Sequence, residues 1–245
     1  MRERAAQKLN PKIGRMGAED PSRAFRPGLS VCGARRGPCR VCMQEEKKEE
    51  RLIVGLGNPE SEFADTRHNL GFTCVRELAR RLGAPINKKR WRSLAGRAES
   101  HGVWFVLPQT YMNLSGQAVA KALKDTGLTP AQTWVVYDEL DLPLCRMRIR
   151  RGGSGAGHNG VLSIIESLGT DDFVRFRVGI GKPARKGSQS GVHYVLGRFS
   201  KAEAERIPSI VGGVADALEL ALHAGVERAM DRYNRPGALG CEELA

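Results

Sequence analysis

The sequence predicts an α/β fold, in which helices flank a β-sheet in layers, and two observations support it. First, short β-prone runs alternate with segments whose apolar residues recur at helical spacing; the clearest runs are residues 52–54, 104–107 and 134–137. Second, polar residues gather where these runs end and where the helices begin, which is where α/β sheets bind their ligands. At 245 residues the chain is long enough for one domain with a substantial core.

The chain divides into an extension, one domain and a tail. Residues 1–50 are rich in Arg, Gly and Pro, lack a helical or strand period and end in a charge block, so we expect a disordered basic extension. A transit peptide and a natural start at Met43 are alternatives that the sequence leaves open for residues 1–44. Residues 51–234 form the expected domain, and Gly and Pro in residues 235–245 predict a frayed C-terminal tail.

The chain carries a large positive charge. Its 39 basic and 27 acidic residues give a formal net charge of +12, and residues 51–245 still hold 27 basic against 20 acidic residues. A basic folded domain favours a polyanionic partner such as RNA or DNA. A surface whose charge only keeps the protein soluble is the alternative.

The cysteines and the hydropathy pattern bear on the compartment. Six cysteines are scattered without a disulfide framework, which favours a reducing compartment. Cys39 and Cys42 form a lone C-x-x-C, and without a second pair they are weak support for a zinc site. No apolar run approaches the roughly 18 residues that a membrane span needs, so we expect no membrane association. We therefore expect a cytoplasmic protein, with organellar import through the Arg-rich extension as the alternative.

Residues 52–69 contain the first candidate for chemistry, His68. A β-prone run ends at a glycine turn, and Pro59 then restricts Asn58 to extended geometry, which holds its amide in one direction. Apolar spacing from Leu70 predicts a helix, so His68 lies at or just before a helix N-terminus. The positive end of the helix dipole favours a neutral imidazole, which can accept a proton. A surface histidine and a nucleotide-binding Gly-x-Gly turn are the alternatives, but the turn lacks its third glycine.

Two further polar segments follow predicted strands. Asn113 comes after the second run, where Asn113 or Ser115 is expected to cap the next helix. Asp138 comes directly after the third run, at the strand end that faces the ligand crevice in open α/β sheets. The nearby Glu139 and Asp141 leave a Mg²⁺ site open, although no further acidic cluster completes a cage.

Arginines alternate with apolar residues along two predicted strands. Arg146, Arg148 and Arg150 therefore project from one face of the first strand. Arg175 and Arg177 project in the same way from the second. Two basic strand faces suit a phosphate backbone better than a single phosphate group. Arginines on a solvated strand face are the plain alternative.

A glycine-rich segment, residues 152–160, lies between the two basic strands and precedes a predicted helix. Asn159 is expected to cap that helix, whose free N–H groups could hold an anion. The segment is not a P-loop, because no Gly-Lys-Ser/Thr closes it. Its glycines predict a mobile loop or a close approach of the backbone to a large ligand.

The C-terminal part of the domain predicts helices. Ser200 and Glu203 form a capping box at the start of one of them. Pro208 is expected to end or bend that helix, and apolar spacing predicts a longer helix to about Tyr233. We expect this part to cover the core rather than to carry chemistry.

Six short motifs make the sequence recognisable. GLGNP, TRHN, YMNLSG, DELDLP, GHNG and RFRVGIGKP occur in this order across nearly all of residues 51–234 and closely resemble the bacterial-type peptidyl-tRNA hydrolase family. The resemblance implies a single three-layer α/β domain with a twisted mixed β-sheet flanked by helices. It also implies hydrolysis of the ester between a peptide and the 3′ ribose of tRNA, with peptidyl-tRNA as partner and without a metal or other cofactor. We expect the protein to act as a monomer.

The resemblance also assigns roles to individual residues. It implies that His68 is the catalytic base, that Asp138 is its supporting carboxylate and that Asn58 helps to select N-blocked substrates. Asn113 is our choice for the amide that stabilises the oxyanion. Phe63 keeps an aromatic face where the family often has tyrosine, but it lacks the hydroxyl. The family's contacts to tRNA or peptide fall on Phe63, Tyr111, Met112, Asn113 and Asn159, and its phosphate contacts fall on Arg150 and Arg177.

Two other function classes remain as alternatives. A non-catalytic RNA-binding relative with the same fold would keep the basic surface. The joint presence of the four candidate catalytic residues favours an enzyme; they are His68, Asp138, Asn58 and Asn113. A nucleotide-dependent oxidoreductase is disfavoured by the incomplete glycine fingerprint and by the lack of a ribose-binding acid at the usual spacing.

Overall fold

The computed structural model describes residues 49–182 and 190–241. The predicted disordered extension, including the Cys39 and Cys42 pair, lies outside the described residues except for Glu49 and Glu50. The end of the predicted frayed tail, residues 242–245, also lies outside them.

Within the part of the chain that the structure describes, seven strands form one mixed β-sheet. They are β1 (Arg51–Gly55), β2 (Lys88–Arg90), β3 (Ser93–Ala98), β4 (Val103–Pro108), β5 (Thr133–Glu139), β6 (Met147–Arg151) and β7 (Val174–Gly179). Their order in the sheet is β2-β3-β4-β1-β5-β7-β6. The central strands β4, β1, β5 and β7 are parallel, whereas β2, β3 and β6 pair antiparallel with their neighbours. This confirms the predicted α/β fold with a mixed sheet.

Helices cover both faces of the sheet. They are α1 (Leu70–Arg81), α2 (Ser115–Thr126), α3 (Asn159–Leu168), α4 (Ser190–Val195), α5 (Lys201–Ala204), α6 (Ile207–Ala224) and α7 (Val226–Tyr233). α1 and α6 pack together on one face, α2 and α3 pack together on the other, and α7 packs on β6. Helices on both faces of a mainly parallel sheet give the three layers that the sequence predicts.

The central strands β1 and β5 are buried on both faces, which explains their continuous apolar runs. Ile53 faces the core under α1 and α6, whereas its neighbours Leu52 and Val54 face the core under α2 and α3. The alternation of side chains along a strand thus divides one short segment between two cores. Because β1 is packed on both faces, the backbone position of the polar residues that follow it is fixed.

α1 packs close to the strand ends, and this fixes the residues in front of it. A Cβ atom on Gly71 would lie 2.7 Å from the Leu56 carbonyl oxygen and would also overlap the Val136 carbonyl oxygen. A side chain at this position would therefore push the helix away from the sheet. The 3₁₀ turn Arg67–Asn69, which directly precedes α1, is held at the same edge.

The predicted caps of two helices are wrong. α2 begins at Ser115 after a short 3₁₀ turn, and neither Ser115 nor Asn113 caps it. α3 begins at Asn159, and its cap is His158, whose Nδ1 accepts the Val161 N–H at 3.3 Å. The reason is that Asn159 is already the first helical residue, so the residue before it takes the cap position.

Strands β2 and β3 have no counterpart in the sequence prediction. All three residues of β2 are basic and exposed at the sheet edge. β3 contains Gly96 and lacks a regular apolar period. Pairing of β3 with β4 and of β2 with β3, rather than an intrinsic pattern, therefore defines these two strands.

The C-terminal helices follow the prediction in part. Ser200 and Glu203 form the predicted capping box at α5. Pro208 lies in the first turn of α6, where its missing N–H costs no hydrogen bond, rather than at a helix end. The predicted long helix to Tyr233 breaks at Gly225, whose φ of 90° favours glycine. The break lets α7 pack on β6.

Residues 235–241 pack onto the domain, although the sequence predicts fraying there. Leu239 is buried against Gly213 of α6, and Cys241 forms a disulfide with Cys145. The two Cα atoms are 5.6 Å apart although 96 residues separate them in sequence. The spacing of the cysteines gives no signal for this disulfide, because only the folded chain brings the tail back to the start of β6.

Eighteen residues within 201–224 have the length and composition of a membrane span, with a mean hydropathy of 1.3. Their side chains Ile210, Val214 and Leu218 are fully buried in the core that α1 shares. Core helices of globular domains have the same composition, so this segment is only weak support for a membrane span.

Candidate active site

A pocket of about 430 Å³ opens at the C-terminal ends of β1 and β5. Five residues that the sequence singles out line it, namely Asn58, His68, Met112, Asp138 and Asn159. We call the polar group Asn58, His68, Asp138 and His158 the pocket floor, and Gly191, Val192, Val195 and Leu196 the pocket wall. The pocket thus lies at the edge where parallel α/β sheets bind ligands.

His68 lies in the 3₁₀ turn directly before α1, as the sequence predicts, and is 8% exposed. Its Nδ1 is 2.9 and 3.0 Å from the two carboxylate oxygens of Asp138 on β5. A ring nitrogen that faces a carboxylate carries the proton and donates, so Nε2 is the unprotonated nitrogen. The pocket therefore contains an oriented imidazole that can accept a proton.

His158 is a second histidine on the same carboxylate. Its Nε2 is 3.1 Å from Asp138 Oδ1, while its Nδ1 accepts the Val161 N–H. The accepting Nδ1 places the proton on Nε2, which donates to Asp138. The His158 ring also lies 4.9 Å from the Tyr137 ring and 5.0 Å from the His68 ring. Asp138 thus accepts hydrogen bonds from both imidazoles.

Two opposing effects act on the pKa of the Asp138 carboxyl group, which is 2% exposed. Burial raises this pKa, whereas the charge interaction with His68 and the hydrogen bond and charge of His158 lower it. The lowering effects prevail, so the pKa of Asp138 lies well below its usual range. An ionised Asp138 can stabilise the imidazolium that forms when His68 accepts a proton.

Asn58 is held by its backbone and by its side chain. Its N–H donates to Asn69 Oδ1 at 2.8 Å, and its carbonyl oxygen accepts from Asn69 Nδ2 at 2.9 Å. Its own Oδ1 accepts the Met112 N–H at 3.2 Å. The NH2 group of Asn58 is left as a donor at the pocket, and no residue in the described part of the chain accepts from it. The side-chain amide of Asn58 is therefore held in one orientation, with its NH2 group at the pocket, as expected from the neighbouring Pro59.

Three other sequence candidates do not line the pocket. Tyr111 is 65% exposed, and Asn113 is exposed in the 3₁₀ turn that begins at Met112. Phe63 is half-buried, and its carbonyl oxygen accepts from Thr66 Oγ1 at 2.8 Å. The fold brings Met112 into the lining but leaves these three side chains outside it.

Four arginines on β6 and β7 lie opposite one another but differ in environment. Arg148 pairs in register with Arg177, and Arg150 with Arg175. Arg148 and Arg150 are exposed, as a phosphate-binding face requires. Arg177 instead forms an ion pair with Glu139 at 2.8 Å, so its charge is largely compensated within the protein.

Arg175 does not belong to the binding face that the sequence predicts. It is 2% exposed, and its guanidinium donates to the carbonyl oxygens of Ser154, at 2.5 Å, and Gly153. The guanidinium also lies 4.7 Å from the Phe173 ring, and burial lowers the pKa of Arg175. Alternation along a strand identifies a face but not what covers it, and here the glycine-rich loop covers Arg175. The arginine holds the loop that leads to His158.

The three carboxylates at and just after the end of β5 do not form a Mg²⁺ cage. Asp138 accepts from two histidines, and Glu139 is paired with Arg177. Asp141 is paired with Lys182 at 2.8 Å. Each carboxylate therefore has a partner of its own, and the three do not converge on a shared point.

One group of side chains within residues 49–182 and 190–241 has the composition of a metal site. The ligand atoms of His68, Asp138 and His158 all lie within 4.8 Å of one another. Two imidazoles and a carboxylate suit Zn²⁺. Here, however, the nitrogens that face Asp138 carry the protons of its hydrogen bonds, so a metal would have to displace both. The arrangement fits a proton-transfer site better than a metal centre.

Two features of the site escape the sequence reasoning for different reasons. His158 lies in the GHNG motif directly before Asn159, so the sequence contains a signal for it. The glycines and the predicted helix start account for this motif without giving His158 a role. The pocket wall gives no local signal, because α4 has only six residues and no clear apolar period.

The chain matches the family model of peptidyl-tRNA hydrolase over residues 52–239. A peptidyl-tRNA hydrolase of Chloroflexus aurantiacus is 47% identical over 186 residues, which cover 75% of this chain and 98% of that protein. A peptidyl-tRNA hydrolase of Syntrophotalea carbinolica is 40% identical over 186 residues, which cover 75% of this chain and 96% of that protein. The crystal structure of the peptidyl-tRNA hydrolase from Acinetobacter baumannii matches with a TM-score of 0.71 at 33% identity, over 81% of this chain and 98% of that one. Because these matches span the residues that build the sheet and the pocket, the chain belongs to the peptidyl-tRNA hydrolase family.

Proposed function

We propose that this chain hydrolyses the ester between the peptide and the 3′ ribose of peptidyl-tRNA, with His68 as the general base. The observation that carries the proposal is the contact between His68 Nδ1 and both oxygens of the buried Asp138 carboxylate. It leaves Nε2 to take a proton from a water molecule as that water attacks the ester carbonyl. The reaction needs no nucleophilic side chain and no resident metal.

Asp138 stabilises the imidazolium that the reaction creates. Its position between His68 and His158 keeps it ionised, so a negative charge already faces the ring when the proton arrives. Such preorganised charge needs no reorganisation during the reaction. His158 supports this role by donating to Oδ1, the carboxylate oxygen that also faces His68.

Two amides are proposed to act on the substrate carbonyl. The Asn58 NH2 lies in the pocket and suits recognition of a blocked amino group or a carbonyl oxygen beside the scissile bond. Asn113, the candidate from the sequence, lies on the exposed turn next to Met112. A single donor to an oxyanion is typically worth about 2.7 to 4 kcal/mol.

The tRNA body is proposed to lie on the exposed face of β6, where Arg148 and Arg150 offer uncovered guanidinium groups. Asn159, which lines the pocket, and Phe63 and Tyr111, which lie outside its lining, are proposed to supply further contacts. We propose that the protein acts as a monomer in the cytoplasm with peptidyl-tRNA as its partner.

The first test is hydrolysis of N-acetyl-aminoacyl-tRNA by the purified full chain. We expect activity for the wild type and a loss of at least about a hundredfold for His68→Ala, the scale of general-base catalysis. His101→Ala is the matched control, since His101 lies in a 3₁₀ turn outside the pocket.

Equal rates for wild type and His68→Ala would overturn the mechanism. A wild type that binds tRNA without hydrolysing the ester would favour the alternative, a non-catalytic RNA-binding relative.

A further inference from the structure

Arg67, the residue before the proposed base, is buried and binds the chain segment that forms the pocket wall. It is 7% exposed. Its Nη1 donates to the carbonyl oxygens of Arg198 at 2.7 Å and Tyr194 at 3.4 Å, and its backbone N–H donates to that of Gly197 at 3.1 Å. Its Nη2 forms an ion pair with Glu203 at 2.6 Å. Arg67 therefore bonds three carbonyl oxygens within or directly after the wall, two through its side chain and one through its backbone N–H, and its side chain also pairs with Glu203 of α5.

Aromatic contacts strengthen this attachment. The Arg67 guanidinium carbon lies 4.1 Å from the Tyr194 ring centroid and 5.1 Å from that of Phe199. Desolvated contacts of this kind between a cation and an aromatic ring are stabilising. The Tyr194 hydroxyl donates to the Ile180 carbonyl oxygen at 2.8 Å, so the same ring also links the wall to the residue after β7.

The wall depends on these contacts because it has little stability of its own. α4 has six residues, far fewer than the roughly 12 to 15 at which an isolated helix becomes even marginal. Its Val192 is 64% exposed and lines the pocket beside Val195 and Leu196. The wall thus presents apolar side chains to the pocket while its backbone is held from behind by Arg67.

We propose that Arg67 is a positioning residue that fixes the pocket wall at a set distance from His68, so that an apolar or aromatic group of the substrate packs beside the scissile ester. The inference rests on the proposed function and adds to it. Arg67 and His68 are adjacent in one short 3₁₀ turn, so the backbone that positions the base also positions the side chain that holds the wall. None of the Arg67 contacts reaches Asp138, and the residue therefore acts on substrate binding rather than on proton transfer.

The test compares Arg67→Ala with Arg81→Ala in the full chain. Arg81 also ties a helix to its neighbour, through Asp216 at 2.6 Å and the Gly212 carbonyl oxygen at 3.3 Å, but it lies outside the pocket. With N-acetyl-aminoacyl-tRNA, Arg67→Ala should raise KM roughly tenfold, the equivalent of one buried contact, and change kcat much less. Its kcat should keep the pH profile of the wild type, and Arg81→Ala should leave KM unchanged.

Two milder variants cover the case in which Arg67→Ala does not fold. Glu203→Gln keeps the shape of the ion pair but removes its charge, and Arg67→Lys keeps the charge but loses the guanidinium fork, whose Nη1 reaches the two carbonyl oxygens while Nη2 reaches Glu203. Both should raise KM in the same direction by a smaller factor. A fall in kcat at constant KM overturns the proposal. A KM that stays at the wild-type value in all three variants also overturns it.

Amide hydrogen exchange separates this proposal from the proposed function. Exchange in residues 191–199 should accelerate in Arg67→Ala relative to wild type and to Arg81→Ala, whether or not the chain is an active hydrolase. If the wild type has no hydrolase activity, the proposed function fails, while unchanged exchange in these residues would refute the role of Arg67 independently.

Discussion

The pocket floor and the exposed face of β6 carry the charges of the site in opposite ways. On the floor, Asp138 is buried and its contacts are internal hydrogen bonds from His68 and His158. On the β6 face, Arg148 and Arg150 are exposed, and no carboxylate among residues 49–182 and 190–241 pairs with them. Buried charges interact strongly and are screened little by salt, whereas exposed charges are weak in isolation and strongly screened. The floor should therefore set the rate of the chemical step, and the β6 face the affinity for tRNA.

The largest effect should come from Asp138→Asn on the floor. His68 Nδ1 lies near both carboxylate oxygens and His158 Nε2 lies near Oδ1, so the asparagine NH2 faces the N–H of His68 in either amide orientation. The negative charge opposite His68 is also lost. We expect kcat to fall on the order of a hundredfold in the N-acetyl-aminoacyl-tRNA assay.

Asp141→Asn is the matched control for that variant. Asp141 also lines the pocket, but it lies outside the floor, is exposed and is paired with Lys182 rather than with the two histidines. Its replacement should leave kcat within about twofold of the wild type, since exposed ion pairs contribute little. A similar loss in both variants would mean that the floor does not set the chemical step.

The position of the floor depends on Gly71, and Gly71→Ala should lower the free energy of unfolding. The added methyl group would overlap the Leu56 and Val136 carbonyl oxygens, so α1 must shift, at a cost of about 1–3 kcal/mol. Gly212→Ala in α6 is the control, because its nearest neighbour would be Arg81 Nη2 at 3.6 Å. That change should be neutral or stabilise by up to about 1 kcal/mol. Urea denaturation of both variants gives the comparison, and equal stability would contradict it.

This contrast also explains what the sequence could and could not predict. His68, Asp138 and Asn58 follow buried strands or precede a helix, so local patterns locate them, and the parallel sheet brings them together. Arg175 and Arg177 follow the same alternation as Arg148, yet the first is buried and the second is paired. Strand alternation indicates a direction only. Which loop or carboxylate covers a side chain depends on residues far away in sequence, as the pocket wall and the Cys145–Cys241 disulfide also show.

A smaller effect on the floor should come from His158→Asn. Asparagine is a good N-cap, so α3 keeps its start, but the shorter side chain withdraws the donor from Asp138 Oδ1. His68 keeps its own contact with Asp138, so we expect kcat to fall only about tenfold, below the full scale of general-base catalysis.

The same variant should change stability in acid. The pKa of Asp138 is depressed in the folded protein, so its contribution to stability is present above the unfolded value of about 3.9 and is lost as pH falls below it. Without the His158 hydrogen bond the pKa of Asp138 is less depressed, so the ionised carboxylate contributes less to the free energy of unfolding. The free energy of unfolding should therefore decline less steeply below about pH 4 in His158→Asn than in the wild type. Parallel declines would mean that His158 does not hold the carboxylate ionised.

The smallest effect concerns the exposed arginines of the β6 face, and it tests whether this face sets the affinity for tRNA. Arg150→Ala should raise KM a few-fold, leave kcat unchanged and reduce the slope of log affinity against log salt by about one. Arg92→Ala removes an equally exposed arginine at the opposite edge of the sheet and should leave the slope unchanged. Arg177 is the discriminating case, because Glu139 already compensates its charge. The double variant Arg177→Ala with Glu139→Gln removes both charges and should keep the wild-type salt slope. A slope reduced as much as in Arg150→Ala would instead place Arg177 in direct contact with phosphate.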